Sequence, residues 1–189
     1  PVGLCIVGVS AKALAAMDTA TLPRTFFDFR DMLKSYAAGG YPYTPAVGLI
    51  AGLAHSIELL EEEGMENVYA RHHRLAEGVR RAIAAWGMKP CAVSPELYSE
   101  TVTAVVVPEG CNGTDLVKIA ADKYQVAFGV GLGEVAGKVF RIGHLGMLTD
   151  AMMLSGLAVA EMCMADLGWK VVLGSGVAAA QEYYRGTAA

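Results

Sequence analysis

Val68, Leu75, Val79, Ile83 and Trp86 recur at spacings of three, four or seven between Met65 and Trp86. That spacing lines them up on one stripe of a long amphipathic helix. Gly87 ends the helix, since glycine readily takes the left-handed conformation of a helix stop. The chain has a different texture on either side. Downstream, TVTAVVV from Thr101 to Val107 predicts a strand, and Asn112-Gly113-Thr114 opens a helix to Tyr124. Val126 to Phe128 reads as short and extended, and Lys138 to Ile142 as another strand. Thr149-Asp150 begin a helix to Leu167, and a last one covers Gly176 to Arg185. This β-α-β-β-α order predicts a small α+β layer, with helices on one face of a mostly antiparallel sheet.

Upstream, Gly3 to Val9 is an apolar, β-branched run that predicts a buried strand, and Ser10 caps a helix through Met17. LPRTFFDFR is expected to be extended, then helical to Ala38. Two glycines and two prolines make Gly39-Gly40-Tyr41-Pro42-Tyr43-Thr44-Pro45 a shaped loop. Pro45 then stands where a helix accepts proline in its first turn, and Ala46 to Glu63 has helical periodicity. The chain opens on what reads as a core strand with no initiator Met, so further polypeptide is expected before it.

Hydrophobic residues make up 54% of the chain and charged residues only 18%, where about a quarter charged is usual. A membrane span does not account for the excess. Tyr41 to Ile57 contains two prolines and a histidine, Ala151 to Ala160 is too short, and a span needs roughly 20 apolar residues. Surface covered by other protein is the better explanation. A net charge of −4 with no basic stripe argues against nucleic acid. Cys5, Cys91, Cys111 and Cys163 are widely spaced without a CxxC, which fits reduced thiols in a cytoplasmic protein and no metal site. His72-His73 are adjacent rather than one turn apart, so they are expected on a solvated helix face and not as metal ligands.

Gly137-Lys138-Val139-Phe140-Arg141-Ile142-Gly143-His144-Leu145-Gly146 is the most informative stretch: its strand ends in Arg141, between a Gly-rich loop (Gly129 to Gly133) and a second Gly-containing turn. A guanidinium fixed there suits two-pronged recognition of a carboxylate. An edge-strand salt bridge is the plainer alternative. His144 follows the same strand and is expected to be structural more readily than to line a site.

The run GLGEVAGKVFRIGHLG, Gly131 to Gly146, resembles the C-terminal signature of the class V pyridoxal-phosphate-dependent aminotransferases, specifically the alanine-, serine- and aspartate–glyoxylate aminotransferases. PVGLCIVGVSAKA at Pro1, YPYTP at Tyr41, EEGMENVYARHHRLAEGVRRAIAAWG at Glu62, TVTAVVVPEG at Thr101 and GSGVAAA at Gly174 match in the same order. The resemblance implies the α/β PLP-transferase fold, aspartate aminotransferase fold type I. Residues 1–63 would be the end of the large cofactor domain, 64–87 a linking helix, and 88–189 the small C-terminal domain. It implies a homodimer with active sites at its interface. The reaction implied moves an amino group from serine or aspartate, with alanine also possible, to glyoxylate, giving glycine. Arg141 would grip the substrate carboxylate, and Tyr41 and Thr44 would hydrogen-bond the phosphate of the partner's pyridoxal 5'-phosphate. LPRTFFDFRDM from Leu22 looks like the serine/aspartate branch, and Arg24 is either a contact to a donor carboxylate or a structural ion pair.

In the family, the lysine that carries the cofactor as a Schiff base lies in an S-x-K segment just before the strand matched by Gly3 to Val9. None of Lys12, Lys34, Lys89, Lys118, Lys123, Lys138 or Lys170 stands in that segment, since all of them follow the strand. That lysine is therefore expected upstream of Pro1, and the chain alone is expected to be inactive. Two alternatives are a non-catalytic carboxylate-binding domain and a dimerisation module.

Overall fold

In the computed structural model, which describes residues 3–187, the Ser10 hydroxyl accepts a hydrogen bond from the Ala13 amide and starts α1 (Ala11–Thr19). Asp28 caps α2 (Phe29–Ala37) in the same way, and α3 (Val47–Glu63) follows the proline-bearing loop. The predicted strand Gly3–Val9 does not form: the segment has no ladder partner, and Leu4, Ile6 and Val7 are exposed. A strand is completed by a neighbour, so an apolar run cannot become one alone. The chain divides into two units between Glu63 and Gly64. Among the described residues of the first unit no apolar side chain is buried, whereas Phe27, Tyr36, Val47, Ile57, Leu59 and Leu60 are exposed.

The second unit is built on α4 (Met65–Ala85), whose buried stripe of Val68, Leu75, Val79 and Ile83 agrees with the periodicity. Around it come β1 (Lys89–Pro90), β2 (Val102–Val106), α5 (Gly113–Tyr124), β3 (Gly129–Val130), β4 (Val139–Gly143), α6 (Asp150–Asp166) and α7 (Ser175–Gly186). The sheet order is β1-β2-β4-β3, antiparallel throughout. Val105 opposite Phe140, and Thr103 opposite Ile142, share the face that meets the helices. Alternation puts Val106 with Val139, and Ala104 with Arg141, on the other face.

Helix α4 lies against α7, where Gly78 leaves room for Tyr184. A Cβ at Gly78 would come within 2.2 Å of the tyrosine ring. The Tyr184 hydroxyl donates to the Leu75 carbonyl at 3.0 Å, so the ring's polar end is also satisfied. Two elements differ from the sequence expectation. β1 is too short to show a period, and the extended segment expected at Val126–Phe128 pairs instead as Gly129–Val130.

Among the described residues no helix is long and apolar enough to cross a membrane. No group of three or more His, Cys, Asp and Glu side chains is arranged there to hold a metal ion.

Candidate functional site

Arg141 is the third residue of β4, paired with Ala104 of β2 on one side and Gly129 of β3 on the other. Two small neighbours leave a shallow trough in the sheet, in which the side chain is partly buried. Its Nε–H donates to the Val130 carbonyl at 2.9 Å. No carboxylate pairs with it among the described residues, so the edge-strand salt bridge is not formed there. Its Nη1 and Nη2 groups have no hydrogen-bond partner among those residues. A guanidinium anchored by Nε and open at its far end can meet the two oxygens of a carboxylate side by side.

The turn after β4 is tied down by two histidines. His144 is fully buried; its Nδ1–H donates to the Glu100 carbonyl at 3.0 Å, and its Nε2 accepts from the buried Thr103 hydroxyl at 2.9 Å. It is structural. His72 departs from expectation: it is buried, because it lies one helical turn after Val68 on the apolar stripe. Its Nδ1–H donates to the Val68 carbonyl at 2.7 Å, and its Nε2 accepts the Gly146 amide at 3.1 Å. Arg71 donates to the Gly146 carbonyl at 2.6 Å, so both backbone groups of that glycine are held by α4. Gly146 has φ of 92°, a left-handed turn that favours glycine. His73, the neighbour of His72, is exposed and pairs with Glu100 at 3.1 Å.

Burial pushes the pKa of His144 down, and the nearby positive charge of Arg80 adds to this against the Glu100 carbonyl hydrogen bond. The folded protein therefore resists the proton that the unfolded chain accepts near pH 6.5. The stability this histidine contributes is complete above that pH. It is lost as pH falls from there toward the lower folded value. Thermal melts from pH 8 to 5 should show a falling Tm below about pH 6.5, with a shallower slope in His144→Gln. An equal slope in that variant would contradict this assignment.

In the first unit, Tyr41 and Thr44 lie on the loop between α2 and α3, and both side chains are exposed. Neither hydroxyl has a hydrogen-bond partner among the described residues. Pro42 and Pro45 restrict the backbone between and beside them. Tyr43 turns to other work: its hydroxyl accepts the Phe26 amide at 3.1 Å, and its ring stacks on Phe26 at 4.7 Å. This contact holds Phe26 at φ of 68°, unusual for a residue with a side chain.

Arg24 is in a structural role. It donates to the carbonyls of Leu22 at 2.9 Å and Ala20 at 3.3 Å, and pairs with Asp28 at 3.4 Å. Arg30 closes on the same carboxylate through two hydrogen bonds, of 2.7 and 3.0 Å, and holds the Asp28 pKa down to about 2.

Gly129 and Val130, which flank the Arg141 side chain, carry no signal of that in the sequence. The glycine-rich run was visible; its register opposite Arg141 was not.

No family model matches the chain. It is 65% identical, over its full length, to the L-aspartate–glyoxylate aminotransferase of Paracoccus denitrificans, covering 48% of that protein. It is 50% identical over 97% of its length to the serine–glyoxylate aminotransferase of Hyphomicrobium methylovorum, covering 46%. Among solved structures, the pyridoxamine–pyruvate aminotransferase from Mesorhizobium loti superposes with a TM-score of 0.84 at 34% identity, covering 96% of this chain and 47% of that one. The chain thus spans about half the length of the curated relatives it matches.

Proposed function

Since the chain belongs to the class V pyridoxal-phosphate-dependent aminotransferases, of fold type I and in the group of the aspartate– and serine–glyoxylate enzymes, we propose that it forms one half of such an enzyme's active unit. The reaction we assign is transfer of an amino group from serine or aspartate to glyoxylate, giving glycine. The observation that carries it is Arg141: partly buried, anchored through Nε, and open at Nη1 and Nη2 with no carboxylate of the described residues to neutralise it. Both substrates of the proposed reaction bear a carboxylate, so one guanidinium serves each in turn. Its two parallel donors fix the carboxylate's orientation, and with it the direction in which the amino-bearing carbon faces.

Pyridoxal 5'-phosphate would supply the electron sink that amino-group transfer needs. The residues present suit part of its binding. Tyr41 and Thr44 offer two unpartnered hydroxyls on a proline-restrained loop, a fitting donor pair for phosphate oxygens. We assign them to the cofactor phosphate of a partner subunit in a homodimer. The first unit is assigned to the large cofactor domain, its apolar side chains covered by polypeptide outside it. Residues 64–87 link it to the small domain of residues 88–189. The lysine that bears the cofactor is, in this proposal, none of the seven in the chain.

Substituted for the matching half of the Paracoccus denitrificans protein, the chain should give a hybrid that converts glyoxylate to glycine. The chain alone should form no glycine, and mixed with pyridoxal phosphate it should show no visible absorption band that depends on one lysine. A folded hybrid that binds the cofactor but makes no glycine would contradict the proposed reaction. A band from the chain alone, abolished by one Lys→Ala substitution, would overturn the absence of the lysine.

A further inference from the structure

Gly129 stands directly across the antiparallel pair from Arg141, at the open edge of the sheet. A Cβ built at Gly129 would lie 2.9 Å from Nε of Arg141, 3.1 Å from its Cβ and 3.3 Å from Cζ. The guanidinium therefore occupies the volume that any side chain at this position would take. The next residue supplies the anchor, since the Val130 carbonyl accepts Nε–H at 2.9 Å. Gly129 is not among the glycines with positive φ, so its backbone conformation does not require glycine. A strand also prefers alanine to glycine, by roughly 0.5–1 kcal/mol. Local structure thus gives no reason for a glycine here. The Arg141 side chain gives one.

We propose that Gly129 is a positioning residue: by lacking a side chain it seats the Arg141 guanidinium flat over β3, spends Nε on the Val130 carbonyl, and leaves Nη1 and Nη2 as the pair that receives the substrate carboxylate. This deepens the proposed function and rests on it for the identity of the ligand. With Nε engaged, the carboxylate is met end-on by the two Nη groups and not side-on through Nε and one Nη. Ala104, the neighbour on β2, keeps the other wall of the trough low. Adding a methyl at Gly129 pushes the guanidinium off β3, breaks the Nε–H to carbonyl bond, and turns the Nη pair away from its aim.

The test uses the full 189-residue chain, labelled with 15N, and compares it with Gly129→Ala and Arg141→Ala. In the unsubstituted chain the Arg141 Nε–H should exchange slowly with solvent. In Gly129→Ala that exchange should speed up by about tenfold or more, the order of one lost hydrogen bond to a charged group. Tm should change little, because the better strand propensity of alanine offsets much of the lost hydrogen bond. Titration with L-serine should show affinity weakened about tenfold in Gly129→Ala, by the same reasoning. A glycine needed only for folding would instead lower Tm and leave Nε–H protection in the folded molecules intact, and that result overturns the inference. So does free exchange of the Nε–H in the unsubstituted chain, which needs no variant to fold. If Arg141→Ala weakens serine binding while Gly129→Ala changes neither exchange nor affinity, the carboxylate assignment survives and the seating role falls. If Nε–H is released in Gly129→Ala but Arg141→Ala binds serine as before, the seating role survives and the carboxylate assignment falls.

Discussion

Glu161→Ala is expected to destabilise the second unit by about 3–5 kcal/mol, lowering Tm by roughly 10–20 °C. Glu161 is 2% exposed and forms no ion pair among the described residues. Its Oε1 accepts the Trp86 indole N–H at 2.8 Å, the Gly176 amide at 2.7 Å and the Val177 amide at 3.4 Å, while Oε2 accepts the Gly174 amide. These amides lie at the start of α7, where the first N–H groups have no partner within the helix and the helix dipole favours negative charge. One carboxylate therefore joins α6, the N-terminus of α7 and the end of α4. Gly176 has no room for a side chain there: a Cβ would come within 2.3 Å of the Trp86 nitrogen.

Removing the carboxylate strands several buried donors together, and each unmet donor costs roughly 1–3 kcal/mol. Against a typical total of about 5–15 kcal/mol, that is a large share. Glu161→Gln, which keeps one oxygen acceptor but turns an NH2 toward an amide, should lose less, about 1–2 kcal/mol. Urea and thermal unfolding of the three proteins check the order. An alanine variant that melts with the unsubstituted protein would contradict this account of α7.

Glu161 also illustrates what was legible in the sequence. It is the one acid in the Ala- and Met-rich run Ala151–Cys163, and a lone carboxylate on an apolar helix is a signal that it is buried and partnered. Its partners, drawn from Trp86 and the 174–177 turn, come from elements far apart in the chain, so no local pattern names them. Helices α4 to α7 and strands β2 and β4 were readable, because each carries its own period, cap or stop within a few residues. The short strands were not. Lys89–Pro90 and Gly129–Val130 are strands only because β2 and β4 offer them an edge, a non-local fact. Gly3–Val9 is the converse case, strand-like in composition and left without a ladder.

The place of Arg141 late in a strand was readable from the sequence, because the strand carries its own β-branched pattern; that its Nη groups are open was not, since that depends on what the fold brings near them. Gly129 was not, because its part depends on register. His72 stands four residues after Val68 and so on the buried stripe, a signal that outweighs its adjacency to the exposed His73.

The functional reading centres on the proposed carboxylate clasp at Arg141. A two-pronged, charge-assisted pair in a partly buried trough is worth about 2–3 kcal/mol, which corresponds to roughly a 30- to 140-fold change in affinity. Arg141→Lys should recover little of it, since an ammonium is a point charge that neither spans both carboxylate oxygens nor reproduces the Nε bond to Val130. The most direct measurement compares L-serine with 2-aminoethanol, the same molecule without its carboxylate, binding to the unsubstituted protein and to Arg141→Ala. If Arg141 holds the carboxylate, the substitution weakens serine by that roughly 30- to 140-fold factor, about 2–3 kcal/mol, and leaves 2-aminoethanol unchanged. Serine affinity that is the same in both proteins would contradict it.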